Sequence, residues 1–147
     1  MYTHKFLMRL LMAATVLALL LTACAPKNEI QSNAGQALVE QGDAFMTCMQ
    51  ASDFNCAYAL MSPAAQKQLD KLNLSGGGMV NVESVIDAID FDISRWTFER
   101  AQFSTSDGVT TGTLTGTVEF EDGKQGQVKL EFEKDGETWK VRSSGIE

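Results

Sequence analysis

The chain of 147 residues contains a single histidine, His4, which lies close to the N-terminus. A protein that loses its N-terminal segment therefore keeps no histidine. That absence excludes Ser-His-Asp and Cys-His catalysis, histidine ligands to a metal, and the commonest general base near neutral pH. Cysteine is also scarce, with three residues in all and no Cys-x-x-Cys spacing. The sequence thus predicts no catalytic residue, no metal and no cofactor.

One long apolar run occurs, and it is confined to the N-terminus. Residues 10–21 form this run, and two basic residues, Lys5 and Arg9, precede it. Its length is typical of the core of a secretory signal peptide and is short for a membrane span. The alternative is an uncleaved helical anchor over residues 6–23, in which Arg9 reaches back to the membrane surface.

The apolar run closes on Leu21-Thr22-Ala23-Cys24, which resembles the lipobox of bacterial lipoproteins at every position. The resemblance implies that residues 1–23 are a signal peptide and that Cys24 becomes the lipid-bearing first residue. It also implies attachment to the cell envelope outside the cytoplasm, in the outer membrane if the host has one. Two or three acyl chains anchor stably, whereas one chain binds only marginally. Ordinary cleavage beside Cys24 remains an alternative.

The charge balance is acidic. The full chain has 12 Lys and Arg against 19 Asp and Glu. The predicted signal holds two of the basic residues and no acidic one, so the remainder carries 10 basic and 19 acidic residues, a net charge of −9. A domain of this charge lacks the positive surface that binds nucleic-acid phosphates, and anionic lipids repel it. We expect no nucleic-acid partner, and we expect the lipid to supply the contact with the membrane.

Residues 24–33 are polar and without periodicity, which predicts a tether before a domain at 34–147. The alternative is that this segment packs back on the domain. Apolar residues at helical spacing, together with cap signals at Asp53 and Ser62-Pro63, predict helices in the first half of that domain. The predicted helices are 34–51, 53–60, 62–72 and 81–90.

From Ile93 the apolar period changes to two, which is typical of strands. A change of parity after Phe98 predicts a bulge near Arg100. Asp122-Gly123 is the best hairpin signal in the chain. We therefore predict an α+β fold with short N-terminal helices packed on a curved antiparallel sheet of about four strands. Two glycines on its inward face, Gly112 and Gly116, are expected to leave room for a helix or a ligand.

The order of these motifs resembles small bacterial lipoproteins of the nuclear transport factor 2-like superfamily. The likeness is carried by Asp53-Phe54, the run from Ala57 to Leu60, Ser62-Pro63, and the stretch from Gly136 to Val141. It covers most of residues 34–146 and implies a pocket between sheet and helices, which members use for catalysis, for binding or for neither.

The implied pocket suggests two functions. One is a non-catalytic domain that binds an apolar small molecule or a protein partner, or that has a structural role. The other is an enzyme similar to the ketosteroid isomerases, with Tyr58 and a buried carboxylate as its catalytic groups. The residues expected to line the pocket are Tyr58, Trp96, Phe98, Leu114, Phe120, Phe132 and Trp139.

Cys48 and Cys56 lie four residues on either side of Ser52, in the turn between the first two predicted helices. Outside the cytoplasm this placement favours a disulfide that joins the two helices. The alternative is a pair of buried free thiols.

Overall fold

The computed structural model describes residues 27–75 and 92–146. Within those ranges, three helices precede a four-stranded antiparallel sheet in which each strand pairs with the next. The class is α+β, as predicted. The helices are α1 (Asn33–Gln50), α2 (Phe54–Leu60) and α3 (Pro63–Ser75). The strands are β1 (Ile93–Ser106), β2 (Val109–Phe120), β3 (Gln125–Asp135) and β4 (Thr138–Ile146).

Helix α1 confirms the predicted helix at 34–51 to within one residue, but its 18 residues show that the N-terminal helices are not all short. Ser32 caps it by accepting a hydrogen bond from the backbone N–H of Gly35. At its other end, the Gln50 amide donates to the carbonyls of Ile93 and Ser94, which ties the helix to the start of β1. Its buried residues lie about one turn apart and face the sheet. They are Gly35, Leu38, Gly42, Phe45, Met46 and Cys48.

The predicted caps of the next two helices are confirmed. The Asp53 side chain accepts from the N–H of Cys56 at the start of α2. The Ser62 hydroxyl accepts from the N–H of Ala65 at the start of α3. Ser62 is fully buried, and its own N–H donates to the carbonyl of Val141 in β4 at 2.8 Å. The turn between α2 and α3 is thereby fixed to the outer edge of β4.

The pairing register of the sheet shifts at three places. β1 and β2 pair from Ile93↔Phe120 to Ser106↔Val109, with a shift between Phe98 and Arg100 that confirms the predicted bulge. A second shift on β1 lies close to Ile93. A third shift, beside Phe132, interrupts the pairing of β3 with β4. Bulges increase local twist and bend the strand, so we expect local bends at these three positions.

The fourth predicted helix, at 81–90, lies outside the described residues. The described part of the chain contains no helix that is long and apolar enough to cross a membrane.

The predicted disulfide is present and joins Cys48 of α1 to Cys56 of α2, with their Cα atoms 5.6 Å apart. The two cysteines are 8 positions apart in the sequence, so the bond closes a short loop. Cys48 is buried in the core cluster, and Cys56 packs against that cluster.

Replacing both cysteines with alanine should lower the free energy of unfolding by about 2–3 kcal/mol, because the unfolded chain regains the entropy of an open loop. Urea unfolding monitored by tryptophan fluorescence would measure the loss. Wild-type protein treated with dithiothreitol is the control and should lose a similar amount. An unchanged midpoint in both samples would show that the bond does not stabilise the fold.

Candidate functional site

The apolar residues predicted to line a pocket form the packed core between α1 and the sheet. Leu114 and Phe132 are fully buried, and Trp139 is 6% exposed. Trp96, Phe98 and Phe120 are half-buried and pack against that core. Six of the seven predicted pocket residues are thus brought together, and side chains of α1 lie among them. Those α1 side chains are Leu38, Phe45 and Met46.

Two glycines allow α1 to approach this closely. A Cβ built on Gly112 of β2 would lie 2.7 Å from the Leu38 side chain. A Cβ built on Gly42 of α1 would lie 2.7 Å from Leu114 and 2.9 Å from Phe98. The space that Gly112 leaves open is therefore filled by a helix, which was one of the two expected occupants.

Gly116 has a different neighbour from the expected helix or ligand. A Cβ at this position would lie 2.0 Å from the carbonyl oxygen of Thr97 and 2.8 Å from the Cα of Phe98. Both atoms belong to the backbone of β1, next to its bulge. The glycine thus permits β1 to lie this close to β2 beside the bulge, because only a residue without a side chain fits there.

Tyr58, the seventh predicted pocket residue, lies at the α2–α3 surface. Its hydroxyl donates to Asp70 of α3, with oxygen distances of 3.0 and 3.2 Å. Desolvation and the adjacent carboxylate raise the pKa of the Tyr58 phenol, so the hydroxyl stays protonated as a donor. Asp70 is exposed. An isomerase-like site needs its carboxyl in an apolar enclosure, and residues 27–75 and 92–146 form no such enclosure around Asp70.

A small polar groove lies where β1 and β2 pair beside the start of β3. Its volume is about 140 Å³, and Trp96 and Val118 complete its lining. An ion pair between Arg95 and Glu119, 2.5 Å apart, crosses one end of it. The polar residues of the groove are Arg95, Thr97, Thr117, Glu119 and Gln125. Sequence reasoning missed this groove, although the alternation in β1 and β2 already placed its polar residues on the face opposite to that of Trp96 and Val118.

Trp96 connects the groove to the helix. Its ring N–H donates to the Asp43 carboxylate of α1 at 2.8 Å. A half-buried indole whose N–H is satisfied holds a fixed orientation. The β1 segment that lines the groove is therefore held in position by α1.

The outer sheet face, which carries Thr97, Thr117 and Glu119, continues as a polar surface across β2 and β3. Glu131 accepts hydrogen bonds from Lys129 at 2.6 Å and from the Ser143 hydroxyl at 2.9 Å. Lys129, followed by Ser143, lowers the pKa of the Glu131 carboxyl, which keeps it ionised near neutral pH. The half-buried threonines of β2 lie beside this pair. They are Thr111, Thr113, Thr115 and Thr117.

Residues 28–32, which we term the N-terminal clamp, are docked on the domain, which was the alternative to the predicted tether. The Asn28 amide donates to the carbonyl of Glu99 at 3.0 Å, and its oxygen accepts from the N–H of Ala101 at 3.1 Å. The N–H of Glu29 donates to the carbonyl of Ala101 at 2.8 Å. These residues were assigned to the tether, but they occupy the free edge of β1. No local signal could show this, since Asn28 and Glu99 are 71 positions apart.

The clamp is also fixed to the start of α1. The Ser32 hydroxyl donates to the carbonyl of Glu29 at 2.7 Å, and the Gln36 amide donates to the carbonyl of Ile30 at 2.7 Å. Ile30 packs against the core cluster. Gly35 lies against the Glu29 carbonyl so closely that a Cβ there would be 2.0 Å from the oxygen. The clamp is thus part of the folded domain.

No protein-family model matches this sequence, and no curated protein is significantly similar to it. In residues 27–75 and 92–146, no group of three His, Cys, Asp or Glu side chains comes together to hold a metal ion.

Proposed function

We propose that the protein is a lipoprotein anchored through Cys24 to the outside of a bacterial cell membrane, with a non-catalytic domain. The observation that carries this proposal is the Cys48–Cys56 disulfide, because such bonds persist in extracytoplasmic compartments and are rare in the cytosol. The lipobox-like Leu21–Cys24 agrees with it. We further propose that the domain is related to the nuclear transport factor 2-like superfamily, on the strength of the motif order and the α+β class.

We propose that the domain binds a protein partner or serves a structural role, in preference to enclosing a small molecule. Support comes from the interior between α1 and the sheet, where Leu38, Phe45 and Met46 pack against the predicted pocket residues. The polar groove and the outer sheet face offer hydrogen-bonding groups at a surface. A wet, polar surface of this kind is typical of non-obligate protein interfaces.

Lipidation can be tested by expressing the full chain in a bacterium and measuring the intact mass of the membrane fraction. We expect the mass of residues 24–147 plus a diacylglyceryl group, with or without a third acyl chain. Cys24→Ala should remove the lipid mass and stop normal processing, whereas the double variant Cys48→Ala and Cys56→Ala is the matched control and should keep it. A wild-type chain found without lipid would overturn the proposal.

A further inference from the structure

We infer that the N-terminal clamp holds the β1 edge of the sheet against the bilayer surface that carries the Cys24 lipid. This inference rests on the proposed function, because it requires the lipid on Cys24. It places one edge of the domain next to the membrane, and it gives the clamp a role in orienting the domain as well as in its folding.

The clamp sets the length of free chain between the lipid and the domain. Asn28 is bonded to β1 at Glu99 and Ala101, so only four peptide steps separate Cys24 from a fixed point. Four steps span at most about 14 Å. A tether that stayed free as far as Asn33 would have nine steps and span at most about 31 Å.

The lengths of the two links can be compared with the width of the domain. A domain of the length of residues 24–147 has a radius of gyration near 14 Å and is roughly 35 Å across. A link of about 31 Å would let any side turn to the membrane. A link of about 14 Å is shorter than half the domain width, so the attachment point itself must stay close to the lipid headgroups. The β1 edge carries that point.

The opposite side of the molecule is then directed away from the membrane. β4 lies three strand spacings from β1, or about 14 Å, and α3 packs against β4. The acidic net charge supplies no attraction that would reorient the domain on an anionic bilayer. The covalent link and the clamp therefore decide the orientation. Thr97 of the groove is two residues from Glu99, about 7 Å along the strand, so the groove lies in the layer next to the membrane.

The test uses the lipidated full-length chain in phosphatidylcholine vesicles that contain a headgroup-linked quencher. Cys24 carries the lipid and the other two cysteines form the disulfide, so an introduced cysteine is the single free thiol for a fluorophore. One label is placed at Glu99→Cys beside the clamp, and the other at Gln68→Cys on α3. Both side chains are exposed. We expect quenching at position 99 to be at least threefold stronger than at position 68.

Two variants test whether the clamp causes this difference. Inserting ten Gly and Ser residues after Pro26 lengthens the link without touching a clamp contact, and should bring the quenching ratio close to one. Asn28→Ala removes the side-chain hydrogen bonds to β1, and should lower the ratio by releasing part of the clamp. Asn55→Ala is the matched control, since Asn55 is an exposed residue of α2, and it should leave the ratio unchanged.

The outcomes separate this inference from the proposed function. Intact mass on the same vesicles reports the lipid. Equal quenching at the two positions, or a ratio unchanged by the insertion, would overturn the clamp's role even with the lipid present. A missing lipid mass would overturn the proposed function and this inference together.

Discussion

Phe132→Ala should lower the free energy of unfolding by about 3–5 kcal/mol. Phe132 is fully buried in β3, where it pairs with Gly112 of β2 and Val141 of β4. Removing its ring loses the apolar contacts and leaves a cavity that the surrounding strands cannot close. Natural domains are stable by only about 5–15 kcal/mol, so this one change should remove a large part of the total.

Urea unfolding at constant pH, with the disulfide intact, measures this loss. Phe103→Ala is the matched control, because Phe103 of β1 lies on the same face of the sheet as Phe132 but is only half-buried. Its ring lies 5.7 Å from that of Trp139. The loss of unfolding free energy in Phe103→Ala should be less than half of that in Phe132→Ala. If Phe132→Ala cost under about 1 kcal/mol and weakened binding of an apolar ligand, the ring would line an open pocket instead of the core.

Gly116→Ala should cost about 3 kcal/mol or more, which is at the upper end for overpacking. The added methyl group would meet the Thr97 carbonyl oxygen at 2.0 Å and the Phe98 Cα at 2.8 Å. Both are backbone atoms, so they cannot rotate away as a side chain would. Relief requires β1 to move away from β2 beside its bulge, which breaks ladder hydrogen bonds and shifts Phe98 in the core.

Thermal unfolding followed by circular dichroism compares this variant with Gly145→Ala. Gly145 lies in β4, and a Cβ there would have no heavy atom within 4 Å. The free energy of unfolding of Gly145→Ala should stay within about 0.5 kcal/mol of the wild-type value, as it usually does for surface substitutions. A similar loss in the two variants would show that general strand propensity, and not the close approach of β1, determines the cost at Gly116.

Features encoded by neighbouring residues were predictable. The Asp53 and Ser62 caps and the turn at Asp122-Gly123 depend on contacts within a few positions, and the structure has them. The bulge near Arg100 was readable from the change of parity within β1 itself. The disulfide was predictable for the same reason, since Cys48 and Cys56 are close in sequence on either side of a turn.

The occupant of the space between α1 and the sheet was not predictable in this way. The strand pattern correctly placed Leu114 and Phe132 on the inward face, but a pocket and a packed core have the same apolar pattern. The deciding contacts are those of Leu38 with Gly112 and of Gly42 with Leu114. They join residues far apart in the chain, and they require a helix at a particular height above the sheet.

The α+β class, the starts of the described helices, the antiparallel sheet and the cysteine pair follow from the sequence alone, because short-range caps, periodicities and turns specify them. It also carries the lipobox-like tetrapeptide on which the proposed anchoring depends. Only the tertiary structure decided that α1 fills the interior, that Tyr58 contacts Asp70 at the surface, and that residues 28–32 are bound to β1. Each of these features depends on contacts between residues on different elements of the fold, and such contacts form only when the elements pack together.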